Sequence, residues 1–267
     1  MAYKLYLWDS YDAIGWSQAA WRVEQSAVSA EACTGERIHD VMLRYLPRDG
    51  VILDAGCGTA KWPIFLRQHG YRCVGVDISL EACRLARRLD PGLPLAEGDT
   101  RRAPIRTAAA DAVLSLGVVE HDETGPVEAL RELHRVLKPG GLLILSVPYN
   151  NPTRRLIMNR LQTWVTWRRR RAGMTLGFSE YRFTKRELRG FLAAADFEVV
   201  STHPNELYPP KVTGLWVDWT NLVFSPFHAP TKELFVLPGW KGRLACAAVH
   251  WVPWLVCGEV VFVAKAR

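Results

Sequence analysis

"VILDAGCGTAKW", residues 51–62, is the stretch whose reading decides the fold. A short apolar run enters an acid, Asp54, and two glycines follow one residue apart, Gly56 and Gly58. Glycines at such a point let the backbone bend sharply and let a ligand approach main-chain N–H groups with no Cβ in the way. The next residues, "AKWPIFLRQHG" at 60–70, read as a helix closed by Gly70. The turn thus opens on a helix start, where free N–H groups and the dipole favour a negative group. A plain tight turn is the alternative reading of these residues alone.

Working outward, "YRCVGVDIS" at 71–79 is a second strand, and Ser79 can cap the helix "LEACRLARRLD", whose Leu80, Cys83 and Leu89 form an apolar side. "LPLAEGD" at 93–99 and "DAVLSLGVVEH" at 111–121 are further strands. In "GPVEALRELHRVLKPGG", Val127, Leu130, Leu133, Val136 and Leu137 share one helical face, and Pro139, Gly140 and Gly141 stop the helix. "LLILSVPY" at 142–149 is apolar on both faces, and residues 26–46 read as a helix ended by Pro47. Beyond 150 come a helix-like run with a basic end, "MNRLQTWVTWRRRR", then a capping box of Thr184 with Glu187 and its helix. "FEVVSTHP" and "GEVVFVAKA" are the last strands.

Strands too apolar to be half-exposed, alternating with helices, indicate a parallel sheet covered on both sides. The expected fold is α/β, a Rossmann-like seven-stranded, mostly parallel sheet with helices on both faces and Trp-rich insertions forming a lid. The expected organisation is a single domain, 1–267. Its core is 45–150 and 184–204 with 257–267, its N-terminal cap is 1–44, and its insertions are 151–183 and 205–256.

Asp77 ends the second strand, where a carboxylate can accept both hydroxyls of a ribose. A dinucleotide would want Gly-x-Gly-x-x-Gly, but the third glycine position is Lys61, and a pyrophosphate does not want Asp54 at the turn entrance. A ligand with a cationic amino-acid end suits that acid better. Residues 51–62 resemble motif I of the class I S-adenosylmethionine-dependent methyltransferases, and the later motifs follow in order. "VGVDIS" resembles the acidic-loop motif, "AEGDTRRAPIRTAAADAVLSLGVVEH" the next two, and "ELHRVLKPGGLLILSVPY" the helix and fifth strand of the small-molecule, type 11 subfamily. The resemblance covers about residues 45–150 well and the last two strands loosely.

The resemblance implies S-adenosylmethionine as cofactor. It implies that Asp54, Ala55, Gly56, Cys57 and Gly58 lie at the donor's methionine end, Asp77 at the ribose, and Asp99 with Thr100 at the adenine. Ile78 and Leu116 would sandwich the ring. Ala60 stands where the family often has a third glycine. His121 is a candidate general base, or lines the methionine end, or is a loop histidine bonded to the backbone. Some relatives hold a divalent metal with Glu-x-x-Glu-His; Gly117 replaces the first glutamate here, so no metal is expected. Nothing basic flanks Cys57, which reads as a small hydrophobe.

The acceptor is less legible. The family's Asn/Asp-Pro-Pro-Tyr motif for nucleic-acid amines is absent after the fourth strand, where Leu116 to Val119 stand, and no Pro-Cys pair exists to attack a pyrimidine. No nucleic acid is therefore expected despite a net charge of +7. Ten of the eleven tryptophans lie outside the core motifs, which suits either a flat or lipophilic acceptor or a packed lid. The expected activity is methyl transfer to a small lipophilic or aromatic acceptor, with O-methylation favoured. The alternatives are a non-catalytic donor-binding protein and a methyltransferase for RNA or protein. Six cysteines without a Cys-x-x-Cys pair, the N-terminal composition and the lack of a long apolar run make a cytoplasmic protein the expectation. Trp164, Trp167 and the run Arg168 to Arg171 offer a peripheral membrane contact as a further alternative. The oligomeric state is not legible.

Overall fold

The computed structural model describes residues 2–8, 33–34, 37–205, 247 and 250–267. The strands are β1 (Tyr3–Trp8), β2 (Val51–Ala55), β3 (Arg72–Asp77), β4 (Leu95–Glu97), β5 (Ala110–Leu116), β6 (Leu137–Pro148), β7 (Leu176–Arg182), β8 (Phe197–Asn205) and β9 (Glu259–Ala266). The α-helices are α1 (Arg37–Tyr45), α2 (Lys61–Gln68), α3 (Leu80–Leu89), α4 (Val127–Val136), α5 (Asn159–Arg171), α6 (Lys185–Ala194) and α7 (Pro253–Val256).

Seven strands form one sheet in the order β4-β3-β2-β5-β6-β9-β8. The pairs from β4 to β6 are parallel, and β9 is antiparallel to both β6 and β8. Alternate residues explain why the strands read as unbroken apolar runs. Leu53, Val113, Leu143, Leu145 and Phe262 pack on one side with Leu130 and Leu133 of α4 and Leu188 and Leu192 of α6. Ile52, Ala112, Leu114, Ile144 and Val263 pack on the other with Val41 and Met42 of α1 and Phe65 and Leu66 of α2. The sheet is thus buried between two helical layers, as parallel sheets require.

The local signals behave as their chemistry dictates. Ser79 accepts from the Ala82 N–H at 3.2 Å and starts α3. The capping box forms in full: Thr184 Oγ1 accepts from the Glu187 N–H, and the Glu187 carboxylate accepts from the Thr184 N–H. Strand β6 begins at Leu137, earlier than the Pro-Gly-Gly stop suggests, because Leu137 already pairs with Ala110 before the register shifts.

Two parts depart from the sequence reading. Residues 176–182, expected within a helical insertion, form β7, which pairs antiparallel with β1 in a separate two-stranded sheet. The first strand and this insertion are therefore one structural unit. Of the tryptophans assigned to a lid, Trp254 packs edge-on to Tyr149 at 5.8 Å, whereas Trp164, Trp167 and Trp251 are exposed. Trp62 is buried beside Phe65. The side chains of Trp8, Trp16, Trp21, Trp216, Trp219 and Trp240, and most of the 205–256 insertion, lie outside the described residues.

Candidate functional site

Strand order reverses between β2 and β5: one half of the sheet grows outward through β3, the other through β6. In open α/β sheets such a switch point leaves a crevice at the carboxyl ends of the strands. The turn after β2 sits at that crevice. The Gly56 and Cys57 N–H groups both donate to the Val76 carbonyl, at 2.7 and 3.0 Å, and the Ala60 N–H donates to the Cys57 carbonyl. The Gly58 N–H donates to Asp77 Oδ2 at 2.7 Å. The Gly56, Cys57 and Gly58 N–H groups are thus committed to holding the turn onto β3, and that of Ala60 to closing the turn itself. A ligand approaching this turn therefore meets N–H groups already bonded within the chain.

Glycine is required here by shape. Gly56 has φ +87°, and a Cβ on it would fall 2.4 Å from Val118 Cγ2. Gly58 has φ +54°. Ala60, in the place of a third glycine, also adopts the left-handed region, with φ 60°, and caps the start of α2 without a side-chain bond. Val118, which packs over Gly56 from the β5 side, carried no sequence signal.

Asp77 is 6% exposed at the tip of β3. Its Oδ1 accepts from the Ser79 N–H at 2.8 Å and its Oδ2 from Gly58. Burial pushes its pKa upward, against the pull of those two N–H groups. A carboxylate has about four lone-pair sites, so a fixed Asp77 can still accept two hydroxyls. Asp54 is almost wholly buried on β2, and burial, with the nearby Asp77 charge, pushes its pKa up to about 8. The Cys57 thiol is pushed well above its usual value, first by burial, then by Asp54. It abuts Gly75, where a Cβ would lie 2.7 Å from its Sγ. That is the behaviour of a packed thiol, not a nucleophile.

The remaining residues are arranged less tightly. Ile78 follows Asp77 and is 56% exposed, an apolar side chain just past the tip of β3. Ala55 is buried at the end of β2, and Leu116, at the end of β5, is half-buried. Asp99, beyond β4, is held by a neighbour in the chain. Arg101 grips both its oxygens, with Nη2 to Oδ2 at 2.7 Å, and holds its carboxyl below the usual range. Arg101 also faces Asp122 at 3.6 Å. This Asp-x-Arg spacing is legible in sequence and was missed. Thr100, between them, is half-buried.

His121 closes a short 3-10 turn after β5. Its Nδ1 lies 2.8 Å from the Ser179 carbonyl of β7. A carbonyl only accepts, so Nδ1 carries the proton and Nε2 the lone pair of the neutral ring. Nε2 lies 4.0 Å from Glu120 Oε1, and Glu120 is buried. The loop-histidine reading is therefore met in its geometry, and the same bond leaves Nε2, beside Glu120, as the ring's acceptor.

Comparisons with known proteins bear on the domain that carries these residues. Residues 53–145 match the sequence profile of a methyltransferase domain. A demethylmenaquinone methyltransferase of Streptomyces avermitilis is 36% identical over 103 residues, 38% of this chain and 43% of that protein. A tRNA (carboxymethyluridine(34)-5-O)-methyltransferase of Arabidopsis thaliana is 36% identical over 107 residues, 39% of this chain and 26% of that one. This chain spans less than half the length of these curated relatives. The crystal structure of a SAM-dependent methyltransferase from Methanosarcina mazei superposes with a TM-score of 0.57 at 20% identity, covering 85% of this chain and 96% of the other. That similarity carries the fold. Relatives named for a quinone and for tRNA together leave the acceptor class open, so the sequence argument against nucleic acid does not decide it.

Proposed function

From the premise that residues 53–145 form a class I S-adenosylmethionine-dependent methyltransferase domain of type 11, we propose that this protein transfers a methyl group from that donor to a small lipophilic or aromatic acceptor, at oxygen. The observation that carries the reading is the Asp77 carboxylate. It is oriented by two N–H groups at the switch point, beside a turn whose own N–H groups are mostly spent. That arrangement receives sugar hydroxyls and repels a phosphate.

The residues fit the donor. Gly56 admits Val118 directly against the turn, where a Cβ would fall 2.4 Å from Val118 Cγ2. Buried Asp54 is a weak acid until a cation approaches, and the donor's amino group supplies one. Exposed Ile78 gives an apolar face for the adenine, with Leu116 on the other side and Asp99 and Thr100 at its polar edge. When bound, the donor supplies an activated methyl on a sulfonium, so the chain's tasks are alignment and exclusion of water. His121 Nε2 takes the acceptor's hydroxyl proton, and Glu120, 4.0 Å from that nitrogen, steadies the resulting imidazolium.

The test is calorimetry with S-adenosylhomocysteine. Asp77→Ala weakens binding by about 1.5–3 kcal/mol, roughly 10- to 150-fold. Unchanged affinity in that variant sinks the reading. Once an acceptor is found, His121→Gln lowers turnover by about a hundredfold or more with donor affinity intact. The second reading, an RNA acceptor, is favoured by the relative named for tRNA and by the arginines of α5. It predicts RNA binding that falls steeply with salt.

A further inference from the structure

Seven of the twelve exposed large apolar side chains among the described residues fall in two short segments. Leu156, Ile157, Trp164 and Trp167 belong to the turn Arg154–Met158 and to α5; Trp251, Val252 and Leu255 belong to the stretch running into α7. The two segments are joined where Thr153 Oγ1 donates to the Leu255 carbonyl at 2.8 Å. Exposure here is large: 79% for Trp251, 65% for Leu156 and 58% for Ile157.

The charge of the molecule sits at the same place. Residues 150–179 hold seven arginines and no acid, and the rest of the chain is balanced, 27 basic against 27 acidic residues; Arg154 is buried against the Tyr149 and Gly258 carbonyls and stands apart from the exposed face. On α5 the spacing sorts these groups by face. Ile157, Trp164, Trp167, Arg168 and Arg171 recur at helical intervals on the outer side, while Met158, Asn159 and Gln162 are buried on the inner side. Arg168 lies over the Trp164 ring at 5.0 Å and Arg171 over the Trp167 ring at 4.8 Å.

We propose that this face docks on an anionic lipid bilayer. Indoles and aliphatic side chains enter the boundary between headgroups and acyl chains, and the guanidiniums beside them meet lipid phosphates. Charge complementarity selects the anionic surface. RNA is the weaker fit, because Leu156, Ile157, Val252 and Leu255 offer it neither a stacking plane nor a hydrogen bond. The contact is peripheral: no helix among the described residues is long and apolar enough to cross a membrane. The inference is independent of the methyl-transfer reading.

The experiment is flotation of the full chain with phosphatidylcholine vesicles, with and without phosphatidylserine, at low salt. The protein rises with the mixed vesicles and far less with phosphatidylcholine alone. Arg168→Gln with Arg171→Gln lowers the partition coefficient about 30-fold. Ile157→Ser with Trp251→Ser lowers it roughly tenfold or more. Both pairs keep the wild-type melting temperature, since the side chains are exposed. A protein that stays with the bottom fraction, or one whose partition neither pair alters, overturns the proposal. So does binding that single-stranded RNA displaces completely, or a face found closed by a second copy of the chain in solution.

Discussion

Gly56 shows how narrowly one position can be set. Its φ of +87° and its distance to Val118 combine a backbone demand with a steric one. Gly56→Ala therefore costs about 2–4 kcal/mol in urea unfolding. Adding Val118→Ala recovers part of that loss, because it removes the steric half and leaves the dihedral half. Strict additivity of the two substitutions is the contrary result. Asp54 sets a different kind of limit. Folded, it keeps its proton up to about pH 8, against an ordinary value of 3.8. Between those values the folded chain holds more protons than the unfolded one, so this group's contribution makes stability fall as pH rises, with the full penalty above pH 8. Denaturant melts from pH 4 to pH 9 check this: Asp54→Asn gains on the wild type by several kcal/mol across that window. A constant difference contradicts it. The acids at 54 and 77 were legible because each ends an apolar run. The grip of Arg101 on Asp99 was local enough to read, whereas Val118 over Gly56 joins distant parts of the chain and leaves no trace in either segment.

Elements were legible where sequence chemistry and packing agree. Strands β2, β3, β5 and β6 are apolar at both parities because helices cover both faces. Helix α6 announces itself through Thr184 and Glu187. Thr184→Ala removes one half of that reciprocal pair and costs about 1 kcal/mol, read as a lowered urea midpoint with an unchanged m-value. Equal stability would mean that the cap is incidental to α6. Strands β1 and β7 escaped notice for a physical reason. Their alternation is broken by a register shift between Leu5 and Tyr6, with Phe178 between Tyr6 and Tyr181 and Lys4 over the Phe178 and Tyr181 rings. They also lie outside the seven-stranded sheet, paired as strands with each other, so no buried run marks them. Helix α5 was readable as a helix, but only its buried Asn159 and Gln162 reveal which side faces inward.

At the scale of the molecule, the sheet order could be expected from the alternation of elements together with the resemblance of the motifs, but not from any single strand. The switch point between β2 and β5 follows from that order, and with it the place of the site. Strand β9 is the least local part of the design. It lies between β6 and β8, and its Phe262 is fully buried with the α4 and α6 layer. Phe262→Ala costs about 3–5 kcal/mol and loosens both neighbouring pairings together, so exchange protection falls on β6 and β8 alike. Protection lost on one alone would show that the two pairings do not act as a unit.

The position of β9 also orders events at the ribosome. Among the seven strands of this sheet, residues 259–266 are translated last, yet the edge of β6 and the whole of β8, which pairs with β9, both await them. During synthesis, more than a hundred residues of already translated chain hold an open, apolar strand edge of the kind that invites wrong partners. A chain halted before residue 259 is therefore expected to aggregate more readily than one whose sheet is complete.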